Sequence, residues 1–481
     1  MSANTLTSGK TKLPVKMKAG YAIGQMTDSL GYNVFYFFFL FFLTDFAGVP
    51  AGIAGTISLI AITWDAITDP IVGNISDNLR SKRGRRRPMM IASLIPYAIC
   101  TFLLFNNVQI DSTNAKFVYF AVIAILFWSS YKVYVIPYFA LGAELTEDFN
   151  ERTSLRSWAS VFMQGAVTIA SAGPPLILSM FPEGSENTAW RTVGIVLGVV
   201  IAITTITCYI CTKGGELVEK GEYEVQKNKF EGNAVKHFFK DFASVLKLKP
   251  TIFLAISVLL WAMVTSLNSS GLVYLMTNIM GITEGTQSIM FVILTACGIA
   301  WLPVINGCAN KFDKQKIYFL FMLISGVGLL LFKFIGISAI PMLIIFMAIF
   351  AFGNSTFWTL YYSMMYDISE VDEFINGKRR EGTVAALMSF CQKLGAAVAM
   401  WLIGMILQMG GYDGTLAVQP DSALDAIMNA VAGVPGVMGI GAAIFAFFYP
   451  LTRERFTALT KALALKKEGK EYTTEGFEKL L

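Results

Sequence analysis

The sequence predicts an all-α polytopic membrane protein with twelve transmembrane helices in two six-helix bundles. Three observations support this fold class. Hydrophobic residues make up 55% of the 481 residues and charged residues only 15%, whereas globular proteins carry roughly 25% charged residues. The apolar residues form twelve runs of bilayer-spanning length. The basic residues concentrate in every second connecting segment.

Each of the twelve runs is long enough for a membrane helix, which needs about 20 apolar residues. The run from Phe35 to Phe42 is continuously apolar, unlike a barrel strand, in which apolar and polar residues alternate. The predicted spans are 19–46, 51–75, 88–108, 117–143, 157–181, 191–212, 250–277, 286–309, 316–335, 339–366, 383–409 and 425–451.

The orientation follows from the positions of Lys and Arg, which favour the cytoplasmic side. One alternating set of segments holds 33 of the 38 basic residues. Both termini and the central loop belong to this set, so we expect them in the cytoplasm, with the chain in a bacterial cytoplasmic membrane. The net charge of +5 results from this excess of basic residues on the cytoplasmic side. It therefore does not indicate an acidic partner, and we expect no nucleic-acid partner.

The longest cytoplasmic loop separates six spans from six, and the loops on either side of it repeat weakly. Two parallel six-span halves are the plan of major facilitator transporters, which bind substrate near the bilayer midplane. The predicted domains are a cytoplasmic amino terminus (1–18), a first bundle (19–212), a central loop with a surface helix (213–249), a second bundle (250–452) and a cytoplasmic tail (453–481).

Charged side chains beside the cytoplasmic helix ends suggest a gate. Asp77 and Arg80 follow span 2 within the basic run that includes Arg85–Arg87, and Arg379 lies in the corresponding loop after span 10. We predict that Asp77, Arg80 and Arg379 form a charge latch that breaks and re-forms during transport. The alternative for the arginine run is positive charge that only sets topology.

Ionisable residues inside spans are the most informative, because each costs about 2.5–3.5 kcal/mol at a helix centre. They are Asp28, Asp65, Asp69, Lys132 and Lys393. Asp65 and Asp69 share one helix face roughly 6 Å apart, where two carboxylates repel. A Na⁺ ion, a shared proton or a lysine ammonium between them removes the repulsion, and all three describe a cation-coupling site. A permanent structural pair is the alternative.

The run Trp64-Asp65-Ala66-Ile67-Thr68-Asp69-Pro70 resembles the span 2 signature of the glycoside–pentoside–hexuronide:cation symporters, a family of the major facilitator superfamily. The resemblance covers nearly the whole chain. It continues through Ile136-Pro137-Tyr138, Glu151-Arg152-Thr153, Phe357-Trp358, Lys378-Arg379-Arg380-Glu381-Gly382 and Gln392-Lys393-Leu394-Gly395.

The resemblance implies roles for single residues. Asp65 and Asp69 match cation-site carboxylates and would be metal ligands if the cation is Na⁺, with an oxygen of Thr68 nearby. Four further residues match positions at the sugar. They are Asp28 as a hydroxyl acceptor, Arg156 as a basic residue, Trp358 as an aromatic surface and Lys393 between sugar and cation. Tyr138 is a candidate sugar contact in the Ile-Pro-Tyr segment of span 4.

Two departures from the family pattern affect substrate and ion. Val135 replaces a sugar-binding aspartate before Ile136-Pro137, which disfavours a galactoside and leaves a more positive pocket suited to a hexuronide or neutral glycoside. Lys132 replaces a threonine that supplies a Na⁺ ligand, so its ammonium would compete with Na⁺ for Asp65 and Asp69. Proton coupling, or exchange of the lysine for a cation, is therefore favoured over Na⁺ coupling, with both ions kept as candidates.

The predicted function is cation-coupled symport of a sugar or glycoside by alternating access, by a monomer without a cofactor. A transporter of lysolipids or other amphiphiles on the same scaffold is the alternative, because the aromatic residues of Tyr36–Phe42 would suit an apolar groove. An enzyme or receptor is disfavoured, since the sequence offers no nucleophile–base pair, phosphate loop or metal cluster. His237 is the only histidine.

Overall fold

The computed structural model describes residues 12–79, 81, 84–146, 148–216, 242–416 and 418–480, and this described part is built from helices without a β-strand. The helices of the first half are α1 (Val15–Val34), α2 (Ala51–Asn78), α3 (Arg87–Leu104), α4 (Thr113–Leu145), α5 (Phe149–Leu178) and α6 (Glu186–Cys211). Those that follow are α7 (Lys249–Tyr274), α8 (Glu284–Lys311), α9 (Lys314–Ile335), α10 (Ile340–Asn376), α11 (Glu381–Met409), α12 (Asp421–Met428), α13 (Val434–Phe447) and α14 (Arg453–Lys467).

Four π-helical segments interrupt or extend these helices. Phe35–Phe39 and Phe42–Phe46 follow α1, Leu275–Ile279 continues α7, and Asn429–Gly433 joins α12 to α13. Within the described residues, eleven helical segments are long and apolar enough to cross a membrane. The remaining predicted span, 19–46, corresponds to α1 with its two π-helical segments. All twelve predicted spans therefore coincide with helical segments, and the all-α fold class is confirmed.

Several helices extend beyond the apolar stretches that predicted them. Helix α5 starts at Phe149 rather than near 157, because the carboxylate of Asp148 accepts a hydrogen bond from the backbone N–H of Glu151, a standard helix start. Helix α10 continues to Asn376 and ends at Gly377, which has a left-handed backbone. The predicted surface helix of the central loop, 237–246, is described only from residue 242 onward, and residues 242–246 are helical.

The chain divides into two compact units. The first comprises the described residues of Met1–Phe35, Ile67–Asn107 and Val122–Asn228. In this unit α1 packs against α5 and α6, and α3 packs against α6. Its core contains fully buried tyrosines, namely Tyr21, Tyr97, Tyr134 and Tyr138.

The second unit comprises the described residues of Tyr36–Ala66, Val108–Ala121 and Lys229–Leu481. Here α7 packs against α11 and α13, α9 packs against α10 and α13, and α8 packs against α10. This unit combines the predicted second half with two segments of the predicted first half. The bundle boundaries at 19–212 and 250–452 stay a prediction.

The first part of α2 meets α11 through glycines within the second unit. A β-carbon added at Gly404 would lie 2.8 Å from the Cα of Gly55 and 2.5 Å from the carbonyl oxygen of Ala51. Both distances are too short for a side chain, so the two backbones touch directly at this point.

Candidate functional site

The second acid of α2, Asp69, pairs with the lysine predicted to compete with a metal cation. In the first unit, Lys132 Nζ lies 2.7 Å from Asp69 Oδ1. The lysine side chain is 5% exposed and the aspartate side chain 35% exposed. The ammonium also lies 5.2 Å from the ring centre of Tyr131, an arrangement that favours a cation. The predicted contact of Lys132 with an acid of α2 is therefore present.

The first acid of α2, Asp65, also contacts a lysine. In the second unit, Lys393 Nζ of α11 lies 3.1 Å from Asp65 Oδ2, and the aspartate side chain is only 2% exposed. A carboxylate so deeply buried needs a compensating charge, because desolvating an isolated ion costs several kcal/mol. Each acid on α2 thus contacts a lysine, Asp69 one on α4 and Asp65 one on α11. Thr68, predicted to supply an oxygen, is buried on the same helix.

The predicted sugar-hydroxyl acceptor, Asp28, lies on α1 and accepts two hydrogen bonds. Tyr131 Oη donates to Asp28 Oδ1 over 2.6 Å, and Gln25 Nε2 donates to Asp28 Oδ2 over 2.5 Å. Hydrogen bonds to an ionised acceptor are short and strong. Both donors therefore fix the orientation of this carboxylate.

The other predicted sugar contacts occupy different surroundings. Arg156 is exposed on α5, with its guanidinium carbon 5.4 Å from the ring centre of Phe139. Trp358 is partly exposed on α10, where its ring lies 6.0 Å from that of Tyr362. Tyr138 is fully buried, and its hydroxyl donates to the backbone carbonyl of Tyr21 over 2.9 Å. In this arrangement the Tyr138 hydroxyl serves helix packing, and its role at a sugar stays a prediction.

The predicted gating residues have partners close to them in the chain. Arg86 Nη2 lies 2.6 Å from Asp77 Oδ1 in the first unit. In the second unit, Arg379 pairs with Glu381 over 2.6 Å and with Glu370 over 3.1 Å. The hydrogen bond to Glu381 and the charge of Glu370 raise the pKa of the Arg379 guanidinium above its usual value. Arg80 lies outside the described residues.

Two acids that the sequence analysis did not single out organise the arginine run. Glu144 Oε1 accepts from Arg85 over 2.6 Å and from Arg86 over 3.1 Å. The carboxylate of Glu216 accepts from the backbone N–H groups of Arg85, Arg86 and Arg87 at 2.6, 3.2 and 2.7 Å. A carboxylate there satisfies unpaired donors at the start of α3 and complements the helix dipole. The available signal was that each acid closely follows the end of an apolar span.

Comparison with known proteins relates this arrangement to a transporter family. The profile of the family described as MFS/sugar transport protein matches residues 20–453. The chain belongs to this family. The match confirms the resemblance to the glycoside–pentoside–hexuronide:cation symporters of the major facilitator superfamily, and with it the transporter class of the protein.

Two relatives in this family are similar to the chain over almost their full length. A putative glycoside/cation symporter of Escherichia coli (strain K12), YagG, is 27% identical, with 94% of this chain and 95% of the relative covered. A glucuronide carrier protein homolog of the same organism is 24% identical, with 93% and 95% covered.

A solved structure of the same superfamily shares the fold. The xylose transporter XylE from E. coli, in an inward open conformation, aligns with a TM-score of 0.62 and 14% identity, covering 95% of this chain and 98% of that one. This likeness concerns the fold alone, and it agrees with the predicted major facilitator architecture.

Proposed function

We propose that this chain is a cation-coupled symporter that takes up a sugar or glycoside across a bacterial cytoplasmic membrane by alternating access. It would act as a monomer with both termini in the cytoplasm. The observation that carries the proposal is the pairing of both acids of α2, Asp65 and Asp69, with Lys393 and Lys132. Buried charges in membrane helices persist where they are paired or used, and these two pairs lie on the helix with the symporter signature.

The coupling ion in this proposal is a proton. In the family pattern a threonine stands where this chain has Lys132, and the lysine carries its own positive charge to Asp69. A Na⁺ ion at Asp69 would have to displace an ammonium 2.7 Å away, against the attraction of that pair. A proton needs no vacant site, because it binds the carboxylate itself and releases the lysine.

The proposed substrate class is an acidic glycoside such as a hexuronide. In the paired state each of the two lysines is neutralised by an aspartate, so they add no net charge. Protonation of Asp69 would remove one negative charge beside the ammonium of Lys132, and an anionic substrate would supply a negative charge again. In the first unit, Arg156 would bind the carboxylate and Asp28 a hydroxyl, and the role of Trp358 as an aromatic sugar contact stays a prediction. The glucuronide carrier homolog among the relatives supports this class.

The test is uptake of radiolabelled glucuronide into vesicles containing the purified protein, driven by a proton gradient or by a Na⁺ gradient. We expect the proton gradient alone to drive accumulation. Strong Na⁺ stimulation at fixed pH would refute proton coupling. Equal uptake of a neutral galactoside would refute the preference for an acidic substrate.

A variant sharpens the assignment of the ion. Lys132→Thr removes the ammonium and restores the oxygen found in the family pattern, so uptake should become Na⁺-stimulated. Lys333→Thr is the matched control, because Lys333 is also a lysine in a spanning helix and pairs with an aspartate, Asp425. We expect no Na⁺ stimulation in the control. Unchanged Na⁺ independence of an active Lys132→Thr variant would contradict the proposed role of Lys132.

A further inference from the structure

Spans 1 and 7 end in the same local structure, within the second unit. The segment Leu43-Thr44-Asp45-Phe46-Ala47-Gly48 ends span 1, and Met276-Thr277-Asn278-Ile279-Met280-Gly281 ends span 7. Each begins in a π-helical segment and ends at a glycine with positive φ, 62° at Gly48 and 59° at Gly281. Asp45 and Asn278 hold the same position in the two copies.

The backbone hydrogen bonds of the two turns also correspond. Ala47 N donates to Phe42 O over 2.9 Å, and the equivalent Met280 N donates to Leu275 O over 3.1 Å. The next bonds, from Val49 N to Leu43 O at 2.8 Å and from Ile282 N to Met276 O at 2.9 Å, correspond as well. The turns are therefore two copies of one structure, as expected for halves related by an internal repeat.

The two equivalent side chains meet on one tyrosine hydroxyl. Tyr412, in the connection between α11 and α12, donates from Oη to Asp45 Oδ1 over 2.7 Å. Asn278 Nδ2 donates to the same Tyr412 Oη over 3.2 Å. The hydroxyl thus accepts from the amide of span 7 and donates to the carboxylate of span 1.

A second series of hydrogen bonds reaches the other oxygen of Asp45. Thr44 Oγ1 donates to Asp45 Oδ2 over 2.5 Å, and the Thr44 and Tyr274 hydroxyls lie 2.7 Å apart. Because the threonine proton is directed to Asp45, Tyr274 is the donor in the second bond. Thr44, Tyr274 and Tyr412 are each at most 7% exposed. In a low-dielectric site, the hydrogen bonds of such a chain polarise and strengthen one another.

We propose that Asp45, Asn278 and Tyr412 form a latch that holds the ends of spans 1 and 7 together on the membrane face opposite the basic loops. The latch closes that face, and it opens when the transport cycle exposes the substrate site there. Thr44 and Tyr274 form its second, supporting link. The role of the latch in the transport cycle rests on the proposed function. That the contact can be either closed or open does not depend on that function.

The test exploits the equivalence of Asp45 and Asn278. Asn278→Asp puts two carboxylates on one hydroxyl, which can donate to only one of them, so the latch should open. The exchange of both residues, Asp45→Asn with Asn278→Asp, restores one carboxylate and one amide. We expect the single variant to shift the ratio of open to closed populations about tenfold, because the bond from Asn278 to Tyr412 is lost and one of two carboxylates is left without this donor, and we expect the exchange to reverse most of that shift.

The measurement is the distance between spin labels on cysteines introduced at 50 and 283, exposed positions just beyond each turn. The six native cysteines are replaced by alanine in the parent protein, which is reconstituted in nanodiscs. Unchanged distances in Asn278→Asp would overturn the proposal, and so would an exchange variant that stays as open as the single variant. Should Asn278→Asp fail to fold, Tyr412→Phe decides by the same criterion, because it removes only the shared hydroxyl.

The measurement needs neither substrate nor ion, so its outcome is independent of the proposed symport. A protein that transports no glycoside can still show the latch. A protein that transports normally with labels equally close in all variants has no such latch.

Discussion

Replacing Lys132 with methionine removes the ammonium from Asp69 and keeps an unbranched apolar side chain in α4. At the observed separation of 2.7 Å and an effective dielectric constant of about 20, the attraction is about 6 kcal/mol before desolvation is counted. Lys132 is 5% exposed and Asp69 is 35% exposed, so solvent screens the pair in part. The net coupling should lie between that of exposed pairs, about 1 kcal/mol, and the loss of one partner of a buried pair, about 3–5 kcal/mol. We expect about 2 kcal/mol.

The assay is a double-mutant cycle of Lys132→Met, Asp69→Asn and the double variant, read as the free energy of unfolding in denaturant with the protein in detergent. Each single variant should be destabilised, and the double variant should be more stable than the sum of the two predicts by about 2 kcal/mol. Lys333→Met is the control, and we expect it to cost under about 1 kcal/mol, because its partner Asp425 is 67% exposed. Additive effects in the cycle would refute the reasoning, since they would mean that Lys132 and Asp69 do not interact.

Three further predictions concern other parts of the chain. Glu216→Ala should lower the free energy of unfolding by about 2 kcal/mol, because three backbone N–H groups at the start of α3 lose their acceptor. Glu216→Gln should recover part of that loss in the same denaturant titration. Equal stability of all three proteins would contradict the role given to Glu216. Arg380→Lys should destabilise the protein nearly as much as Arg380→Ala in thermal unfolding. Arg380 binds both oxygens of the fully buried Asp372 at 2.8 and 2.7 Å, and a lysine cannot reproduce a bidentate contact. Full stability of the lysine variant would rule out this role. Trp358→Ala should raise the KM for glycoside uptake about fivefold, because an aromatic contact worth about 1 kcal/mol is lost. Trp301→Ala on α8 is the tryptophan control, and a larger rise of the KM in this variant would speak against a sugar contact at Trp358.

The fold could be predicted from the sequence to a large extent, because bilayer thickness imposes span length and burial excludes charge. The ends of the helices could not, because polar residues continue a helix beyond the bilayer core. Helix α10 shows this, since it runs ten residues past the predicted 366 until Gly377 ends it. The π-helical segments also escaped prediction, because a widened turn has no distinct hydropathy pattern.

The charged residues of the candidate site could be singled out from the sequence and their roles stay predictions, whereas the pairing of each lysine with an acid could not be predicted. Scarcity of charge in the spans singled out Asp65, Asp69, Lys132 and Lys393, and the resemblance supplied their roles. Which lysine meets which acid depends on how α4 and α11 pack, and the spacing of residues along one helix does not contain that information. The role of Glu216 was missed for the same reason, since it lies 129 residues from Arg87 along the chain.

The direct backbone contact between α2 and α11 affects how these helices can separate. At Gly55 and Gly404 no side chains interlock, so the surfaces can part without withdrawing a knob from a hole or reordering a rotamer. The two backbones therefore form a flat contact, which resists closer approach of the helices but does not hinder their sliding or separation. A methyl group at either glycine would meet the opposite backbone first and hold α2 and α11 apart, and the Asp65–Lys393 contact between the same two helices would then have to span a wider gap.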